Sequence, residues 1–379
     1  MTDQRKPIVL LGPGHTHLEI IRRWRAQPIN GATLTVVGNF FHSTYSGMLP
    51  GTIAGQYRPD AMRVELESLC QQAGVEWLVG ETTTIDLSER KLRFSDREPL
   101  PFDLLSVGIG SRPDTSMLAA ADADTLLPIK PMQTFLQRWE SRIEPLATEA
   151  GVSGEPVRIA IVGGGAGGVE VALCLQAAMR RDFPELTFHF SIFDRSDAIL
   201  GDMSSAARRK AERVLRQRGI ELELNHEVAS VEERRLVFSD GGSTPADVAV
   251  WITAAIAPEL TGRIDLPKDG RGFLLVNDRL QSLGDERIFV VGDTATNPQH
   301  PVAKAGVYAV KQAPTLWHNL QAQLRGKRLK KFRPQGDFLR LLNCGDGRAI
   351  LDYRGFAFHG RWCWWLKDRI DRKFVEQYR

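Results

Sequence analysis

The chain has 379 residues, of which 42% are hydrophobic and 25% charged, and its formal net charge is +3. This length fits two or three domains of ordinary globular composition. The small net charge does not by itself indicate a nucleic-acid-binding protein. No 18-residue apolar run predicts a transmembrane helix, and the N-terminus has no apolar signal segment.

The cysteines and histidines do not predict a metal site. The four cysteines are far apart and form no Cys-x-x-Cys pair (Cys70, Cys174, Cys344 and Cys363). This spacing favours a cytoplasmic chain with reduced thiols over a disulfide framework. His15, His17 and His42 are close in sequence, but no carboxylate or cysteine spacing completes a ligand set around them.

The N-terminal stretch predicts a strand, a glycine turn, a helix and a second strand. These elements fall at residues 8–11, 15–26 and 32–37, with Gly12 and Gly14 in the turn. Such a turn lets the backbone approach a pyrophosphate, and the helix N-terminus attracts the phosphate charge. One copy of this pattern is a weak signal, because glycine turns after strands are common.

This first copy departs from the usual dinucleotide-binding pattern at two positions. His17 stands where a third glycine is usual, and Asn39 stands where an acidic residue usually binds the adenosine ribose. The following loop, residues 42–51, is rich in small residues. It is consistent either with a loop that runs against a flat ligand or with an ordinary surface loop.

The middle of the chain predicts short elements and a linker. Helices are expected at 60–73 and 132–149, strands at 75–79, 83–87 and 91–94, a buried strand and glycine turn at 102–113, and a linker at 151–156.

The opening pattern recurs in complete form in the second half. A strand at 157–162 leads into Gly163, Gly165 and Gly168, then a helix at 169–179 and a strand at 188–193. Asp194 follows that strand, where an acid favours a free ribose 2′-hydroxyl and therefore NADH. The adjacent Arg195 leaves NADPH open.

Both halves also end in similar segments. The apolar strand and turn at 248–257 resembles 103–113, and a further apolar strand at 286–293 ends in Gly292 and Asp293. A helix is expected over about 303–325. The repetition of one plan supports a nucleotide-binding function better than either glycine turn alone.

Together these motifs resemble the FAD-dependent pyridine nucleotide–disulfide oxidoreductase superfamily over residues 7–320, and most closely its type II NADH dehydrogenase and sulfide:quinone oxidoreductase branch. The runs 44–51 and 128–131 are similar to flavoproteins fused to some selenide, water dikinases. The resemblance implies an α/β fold with two Rossmann-like domains in a glutathione-reductase-like arrangement. Its expected parts are an FAD domain at 1–113 and 271–325, an inserted NAD(P)H domain at 114–270, and a small α+β C-terminal segment at 326–379.

The resemblance also implies roles for individual residues. The implied FAD-binding residues are Gly12, Gly14, His15, Asn39, Ser46, Gly47, Gly110, Lys130, Gly292 and Asp293. The implied NAD(P)H-binding residues are Gly163, Gly165, Gly168 and Asp194. Glu170, near the nicotinamide side, and Lys304, near the flavin pyrimidine, are the implied catalytic residues; a surface acid is the alternative reading of Glu170. His17 would contact a flavin phosphate or seal the turn.

The positions of the cysteines decide which chemistry the resemblance implies. No cysteine precedes Cys70, so a redox-active pair beside the flavin is not expected. Direct passage of electrons from NAD(P)H through FAD to a quinone or similar small acceptor is the leading hypothesis. An NADH-sensing flavoprotein similar to apoptosis-inducing factor is a second hypothesis. Sulfide:quinone chemistry through Cys344 is a third, with Cys174 expected in a core.

The C-terminal segment is basic and aromatic. Residues 325–333 contain six Lys or Arg residues, and 361–379 has helical periodicity. An apolar stripe is predicted at every fourth residue of this helix (Trp362, Leu366, Ile370, Phe374 and Tyr378). The stripe either packs on the flavin domain or a second subunit, or lies in a membrane interface. The expected location is cytoplasmic, including the inner face of the membrane.

Overall fold

Two five-stranded parallel sheets form the centre of the molecule. The computed structural model describes residues 5–115, 118, 120–253 and 255–379. The first sheet contains, in spatial order, Ile288–Val290, Leu104–Val107, Lys6–Leu11, Ala32–Gly38 and Glu76–Val79. The second contains Leu126–Pro128, Val248–Trp251, Val157–Val162, Phe188–Asp194 and Ile220–Leu224. All neighbouring strands in both sheets are parallel.

The two sheets have the same strand plan. In each, the strand before the glycine turn is central, the next long strand pairs on one side, and a later apolar strand pairs on the other. Ile8 and Val9 are both 0% exposed, because alternate side chains of the central strand face two separate cores. Burial on both faces explains why such strands are apolar throughout.

Helices cover one face of each sheet and antiparallel strands cover the other. The helices are His15–Ala26, Leu49–Ile53, Leu66–Ala73, Phe135–Ser153, Ala166–Asp182, Ser205–Gln217, Glu259–Gly262, Gly306–Leu324 and Arg361–Glu376. Two three-stranded antiparallel sheets contain Thr82–Asp86, Lys91–Phe94 and Leu100–Pro101 in the first half, and Val228–Glu232, Arg235–Phe238 and Ser243–Pro245 in the second. None of the helices in the described part of the chain is long and apolar enough to span a membrane.

Short paired strands connect these layers. Arg112–Pro113 pairs antiparallel with Ala255–Ile256, at the two points where the chain passes between the sheets. The other short pairs are His42–Thr44 with Arg63–Glu65 and Leu274–Leu275 with Ala295–Thr296. Single 3₁₀ turns occur at Pro59–Met62, Met132–Thr134 and Gly292–Thr294.

The C-terminal segment is an antiparallel sheet followed by the last helix. Its strands are Arg340–Asn343, Ala349–Tyr353 and Phe356–Gly360. This agrees with the expected small α+β unit. The predicted apolar stripe of the last helix holds only in part: Trp362 and Ile370 are 52% and 42% exposed, whereas Phe374 and Tyr378 pack against the core. The buried face is one residue further along and consists of Cys363, Lys367, Asp371 and Val375.

Several predicted boundaries also differ from the structure. The expected helix at 60–73 begins only at Leu66, after a 3₁₀ turn and a strand. The first half of the expected linker at 151–156 is helical, because Phe135–Ser153 continues until Gly154 adopts a left-handed conformation with φ of 73°. The helix expected from about 303 begins at Gly306.

Candidate functional site

The first glycine turn brings the backbone to the C-terminal edge of the first sheet. Gly12 has φ of +88°, and a Cβ there would lie 2.5 Å from the carbonyl oxygen of Gly108. Only glycine fits this close crossing. Gly14 is the N-cap of helix His15–Ala26, so the unpaired N–H groups of the first helical turn open beside it. An anion-binding edge results.

The second glycine turn repeats this geometry. Gly163 has φ of +121°, and a Cβ there would overlap the carbonyl oxygen of Ile252. Gly165 is the N-cap of helix Ala166–Asp182. A Cβ on Gly168 would overlap the carbonyl oxygen of Gly163, so the third glycine permits the helix to approach the strand.

Asp194 is held at the second turn. Its Oδ2 accepts a hydrogen bond of 2.5 Å from the Gly164 amide, and its Oδ1 accepts one of 2.8 Å from the Ser196 amide. The carboxylate therefore lies beside the glycine turn, in the position expected of a ribose-binding acid. The side chain of Arg195 is 73% exposed and lies 3.7 Å from Glu227.

The ribose position of the first half has no comparable acid. Asn39 is exposed, one residue beyond Gly38 at the end of the second strand. A Cβ on Gly38 would lie 2.8 Å from Pro13 and 2.9 Å from the ring of Trp77. The indole Nε1 of Trp77 is buried without a partner. The two halves thus differ most at this end of the turn.

Three polar side chains from distant segments meet beside Gly110. Ser111 Oγ donates to Asp293 Oδ2 at 2.8 Å, and Lys130 Nζ lies 2.6 Å from Ser111 Oγ and 3.3 Å from Asp293 Oδ2. Gly292 is fixed by its amide, which donates to the side chain of Gln312. The structure thus brings together Lys130 and Asp293, two of the residues that the resemblance implies for FAD binding.

His15 presents an unpaired nitrogen to the same region. Its Nε2 is buried with no hydrogen-bond partner, and its ring lies 5.4 Å from the ring of Tyr45. A Cβ on Gly306 would meet both Ser46 and His15 at 3.6–3.7 Å, so these residues adjoin the start of the helix at Gly306. Burial lowers the pKa of His15 to about 4, which keeps the imidazole neutral at physiological pH.

Lys304 lies two residues before helix Gly306–Leu324, and its amine contacts neighbouring residues. Its Nζ donates to Ala295 O at 2.6 Å and to Thr296 Oγ1 at 2.9 Å, and it lies 3.8 Å from the ring centroid of Phe273. Burial lowers the pKa of Lys304 to about 8, with Asp269 opposing that shift. Such an amine changes charge close to neutral pH.

Glu170 is buried at a contact between the second glycine helix and the C-terminal segment. Its Oε1 accepts a hydrogen bond of 2.8 Å from the Asn343 amide and lies 3.6 Å from Lys367 Nζ. Its side chain is only 13% exposed, so the reading of Glu170 as a surface acid is wrong. Burial raises the pKa of this carboxyl, partly offset by Lys367.

Lys367 connects Glu170 to the loop beside His15. Its Nζ donates to Asp371 Oδ2 at 2.9 Å and to Gly47 O at 2.8 Å, and Asp371 accepts from Tyr45 Oη at 3.1 Å. Burial raises the pKa of Asp371. Burial alone would lower the pKa of Lys367, but the two carboxyls raise it. The Lys367 ammonium thus lies close to two buried carboxyl groups, those of Glu170 and Asp371.

Aromatic stacking fixes the last helix over the same loop. The ring of Phe374 stacks on Tyr45 with a centroid separation of 4.3 Å and lies 5.3 Å from His15. The last helix therefore contacts the start of the first glycine helix, the 42–51 loop and Glu170. The loop is not an ordinary surface loop, since Met48 and Leu49 are nearly fully buried.

The sequence predictions missed Tyr45, Ser111, Lys367 and Asp371. Lys367 and Asp371 are four residues apart on one helical face, which could have marked them as a pair. Their burial was not predictable, because the more numerous aromatic residues of the same helix suggested the opposite face. Ser111 carried no signal apart from its position after the Gly108–Gly110 turn.

The comparisons with known proteins agree with this geometry. The pyridine nucleotide-disulphide oxidoreductase family matches residues 6–323. The chain belongs to this family. It is 27% identical to the NADH dehydrogenase-like protein YutJ of Bacillus subtilis, over 87% of each chain. It is 25% identical to the demethylphylloquinone reductase NdbB of Synechocystis, over 95% of this chain and 90% of that protein.

A solved structure supports the fold in particular. The Plasmodium falciparum NDH2 structure in complex with NADH matches with a TM-score of 0.83 and 12% identity, over 99% of this chain and 96% of that one. At this identity the likeness shows the α/β fold alone. The family assignment confirms that this member of the family is an oxidoreductase that uses FAD and a pyridine nucleotide.

The described residues fit FAD at the first glycine turn. Glycine is required where the backbone crosses at Gly12, and the helix N-terminus beyond Gly14 suits a pyrophosphate. The buried, unpartnered Nε2 of His15 offers a hydrogen-bonding group to a polar ligand at this site. Asp293 supplies a carboxylate for hydroxyl groups of such a ligand.

Proposed function

We propose that the protein is an FAD-dependent NAD(P)H oxidoreductase that reduces a quinone or a similar small acceptor without a redox disulfide. The main observation in support is a buried cluster that joins the second glycine helix to the loop beside the first glycine helix. Its members are Glu170, Lys367, Asp371 and Tyr45. It supplies ionisable groups between the two nucleotide-binding turns, where reduction of a quinone requires protons.

The two sheets receive separate cofactors in this proposal. FAD binds to the first unit, at 1–113 and 271–325, and NAD(P)H binds to the inserted unit at 114–270. The paired strands Arg112–Pro113 and Ala255–Ile256, at the two chain crossings, support these boundaries. The intact three-glycine turn and Asp194 of the second unit support the binding of NADH in preference to NADPH.

Bound FAD would supply the redox chemistry that links the pyridine nucleotide to the acceptor. The chain positions the reactants and holds protons. Asp293 and Lys130 bind polar groups of the cofactor, and Lys304 contributes positive charge beside the helix at Gly306. Glu170 exchanges a proton at its carboxyl group, since burial raises its pKa, and Lys367 Nζ, 3.6 Å away, stabilises the ionised form of that group.

The thiols do not support a sulfur-based mechanism. Cys174 and Cys344 are both 0% exposed, and burial raises the pKa of Cys344 to about 12. A reactive cysteine is usually accessible and has a depressed pKa. Direct reduction of the acceptor is therefore favoured over sulfide oxidation, and the demethylphylloquinone reductase relative supports a quinone as that acceptor.

The outer face of the last helix supports peripheral contact with a membrane. Trp362 and Trp365 are 52% and 59% exposed, and Phe358 packs edge-on against Trp362 at 5.6 Å. Arg361 and Arg369 flank them on the same helix. Exposed aromatic and basic residues of this kind suit the headgroup region of a bilayer, from which a lipid-soluble quinone would arrive.

An anaerobic titration tests the proposed function. The purified protein should show the absorption spectrum of oxidised flavin. NADH should bleach this spectrum faster than NADPH does, and a quinone should then restore the oxidised spectrum rapidly. Asp194→Ala should weaken NADH use at least tenfold. A colourless protein that cannot be reconstituted with FAD, or a reduced form that quinones do not reoxidise, would contradict the proposal.

A further inference from the structure

A histidine closes the first glycine turn where a glycine closes the second. In the second turn only a hydrogen fits at Gly168, because a Cβ would overlap the carbonyl oxygen of Gly163. At the equivalent position of the first turn, His17 Nδ1 lies 2.5 Å from the carbonyl oxygen of Gly12. A side-chain hydrogen bond has thus replaced a close backbone contact.

A second position differs between the halves in a way that matches this replacement. The amide of Gly108 donates to Leu11 O, as the amide of Ile252 donates to Val162 O, so Gly108 and Ile252 are equivalent. A Cβ on Gly108 would lie 2.8 Å from His17 Cε1. The imidazole occupies space that is free for an isoleucine in the second half.

A third position completes the set. Ser106 pairs with Leu10 in the first sheet, as Val250 pairs with Ile161 in the second. Ser106 Oγ lies 2.8 Å from His17 Nε2. The second half has an apolar residue here and no imidazole to bond. The trio His17, Ser106 and Gly108 therefore corresponds, position by position, to Gly168, Val250 and Ile252.

The hydrogen bonds assign the proton on the ring. The Gly12 carbonyl can only accept, so Nδ1 of His17 carries the hydrogen and Nε2 accepts from the Ser106 hydroxyl. The same carbonyl also accepts from the Gly14 amide at 2.9 Å. Two donors consequently fix the orientation of the peptide that precedes the helix N-terminus.

We propose that His17 is a positioning residue for the FAD pyrophosphate, holding the Gly12 carbonyl so that the free amides of the helix start face the phosphate. The proposal rests on the assignment of FAD to the first turn. It also predicts that a glycine at position 17, although usual in this motif, is inferior here, since it leaves the carbonyl and the Ser106 hydroxyl without their buried partner.

Three variants separate the hydrogen bond from simple packing. His17→Gly restores the usual motif. The triple variant H17G/S106V/G108I copies the second turn and fills the space without a hydrogen bond. His17→Asn shortens the side chain but retains a donor. FAD release from the diluted holoenzyme is followed by the rise in flavin fluorescence, and melting temperature is recorded for each variant.

Release should be about tenfold faster for His17→Gly, the equivalent of losing one buried hydrogen bond. The triple variant should regain melting temperature but still release FAD about tenfold faster, and His17→Asn should stay within about threefold of wild type. FAD retention by the triple variant equal to wild type, or equally fast release from His17→Asn and His17→Gly, would overturn the proposal. If His17→Gly does not fold, the other two variants decide. A wild-type protein that binds no FAD would instead refute the proposed function.

Discussion

At the scale of single residues, burial sets the chemistry of the ionisable groups. Glu170 and His17 were both predicted from sequence as members of glycine-turn motifs, but the motifs say nothing about how they ionise. The structure places Glu170 beside Lys367 and His17 between Gly12 and Ser106. Burial raises the pKa of Glu170 and lowers the pKa of His17, so in both residues it favours the neutral form, and each shift has a measurable consequence.

Glu170→Gln should lower kcat for quinone reduction about 100-fold, because an amide cannot hold and release a proton at this position. Flavin reduction by NADH, measured separately in a stopped-flow instrument, should change less than threefold. Glu185→Gln, an exposed acid just beyond the same helix, is the matched control. Equal kcat in the two variants would remove Glu170 from the proton-transfer role.

The stability of the protein should fall as pH decreases from 6.5 towards 4. Burial lowers the pKa of His17 to about 4, so the unfolded chain binds a proton in this range that the folded chain does not. The stabilisation is fully present above pH 6.5 and is lost as pH falls, with a magnitude of about 3 kcal/mol from this residue.

Urea denaturation at pH 7 and pH 4 tests this sign and magnitude. His17→Asn should lose about 3 kcal/mol less than wild type between the two pH values, since asparagine does not titrate. His189→Asn, which replaces an exposed histidine, should behave as wild type. An identical pH dependence in His17→Asn and wild type would contradict the neutral, buried imidazole.

At the scale of elements, the last helix combines two different faces. Its buried face contains Lys367 and Asp371, and its exposed face contains Trp362 and Trp365. An amphipathic helix usually buries its apolar side. Here the charged pair is held by Glu170 and Tyr45, and the exposed Trp362 and Trp365 are available for a further contact.

The double variant W362S/W365S should reduce co-sedimentation with anionic vesicles at least fivefold, because it removes aromatic area from the proposed bilayer contact. Its melting temperature should change little, since both side chains are mostly exposed. Phe41→Ser, which alters another exposed aromatic residue at 66% exposure, is the control. Unchanged vesicle binding by the double variant would contradict the proposed contact between the last helix and a membrane.

Removal of the whole tail would be a poorer test. Truncation near residue 358 deletes the aromatic face together with Lys367, the cation paired with Glu170. Loss of one partner of a buried pair commonly costs about 3–5 kcal/mol. Point substitutions on the outer face separate vesicle binding from stability.

At the scale of the whole molecule, two copies of one plan are joined through the last helix. Two buried thiols, those of Cys174 and Cys344, lie within this packing. Cys174 Sγ faces the carbonyl oxygen of Asn343 at 3.8 Å. We therefore expect the thiols to stabilise the junction rather than to carry electrons.

Cys174→Ala and Cys344→Ala should each retain NADH-dependent quinone reduction within about threefold of wild type, with a lower melting temperature from the lost buried sulfur. Parallel assays with sulfide as the electron donor distinguish the alternative. If wild type reduces quinone with sulfide and Cys344→Ala does not, the sulfide:quinone assignment is correct and the proposed function needs revision.

The sequence alone determined the repeated plan and the family. Glycine turns need glycine for steric reasons, and buried parallel strands must be apolar, so both leave local patterns that can be read without coordinates. Gly12, Gly163 and Asp194 were predicted for these reasons. The positions of most strands of the two parallel sheets followed from the same patterns.

Only the tertiary structure decided the cluster around Lys367 and the trio around His17. Lys367 contacts Glu170 and Gly47 across 197 and 320 sequence positions, and His17 contacts Ser106 across 89. Contacts of this kind depend on how separate elements pack, which no local pattern encodes. The apolar periodicity of the last helix located its buried side only in part, because charged residues can be buried where partners from other elements neutralise them. Trp362 and Ile370 of the predicted stripe are exposed, whereas Phe374 and Tyr378 are packed.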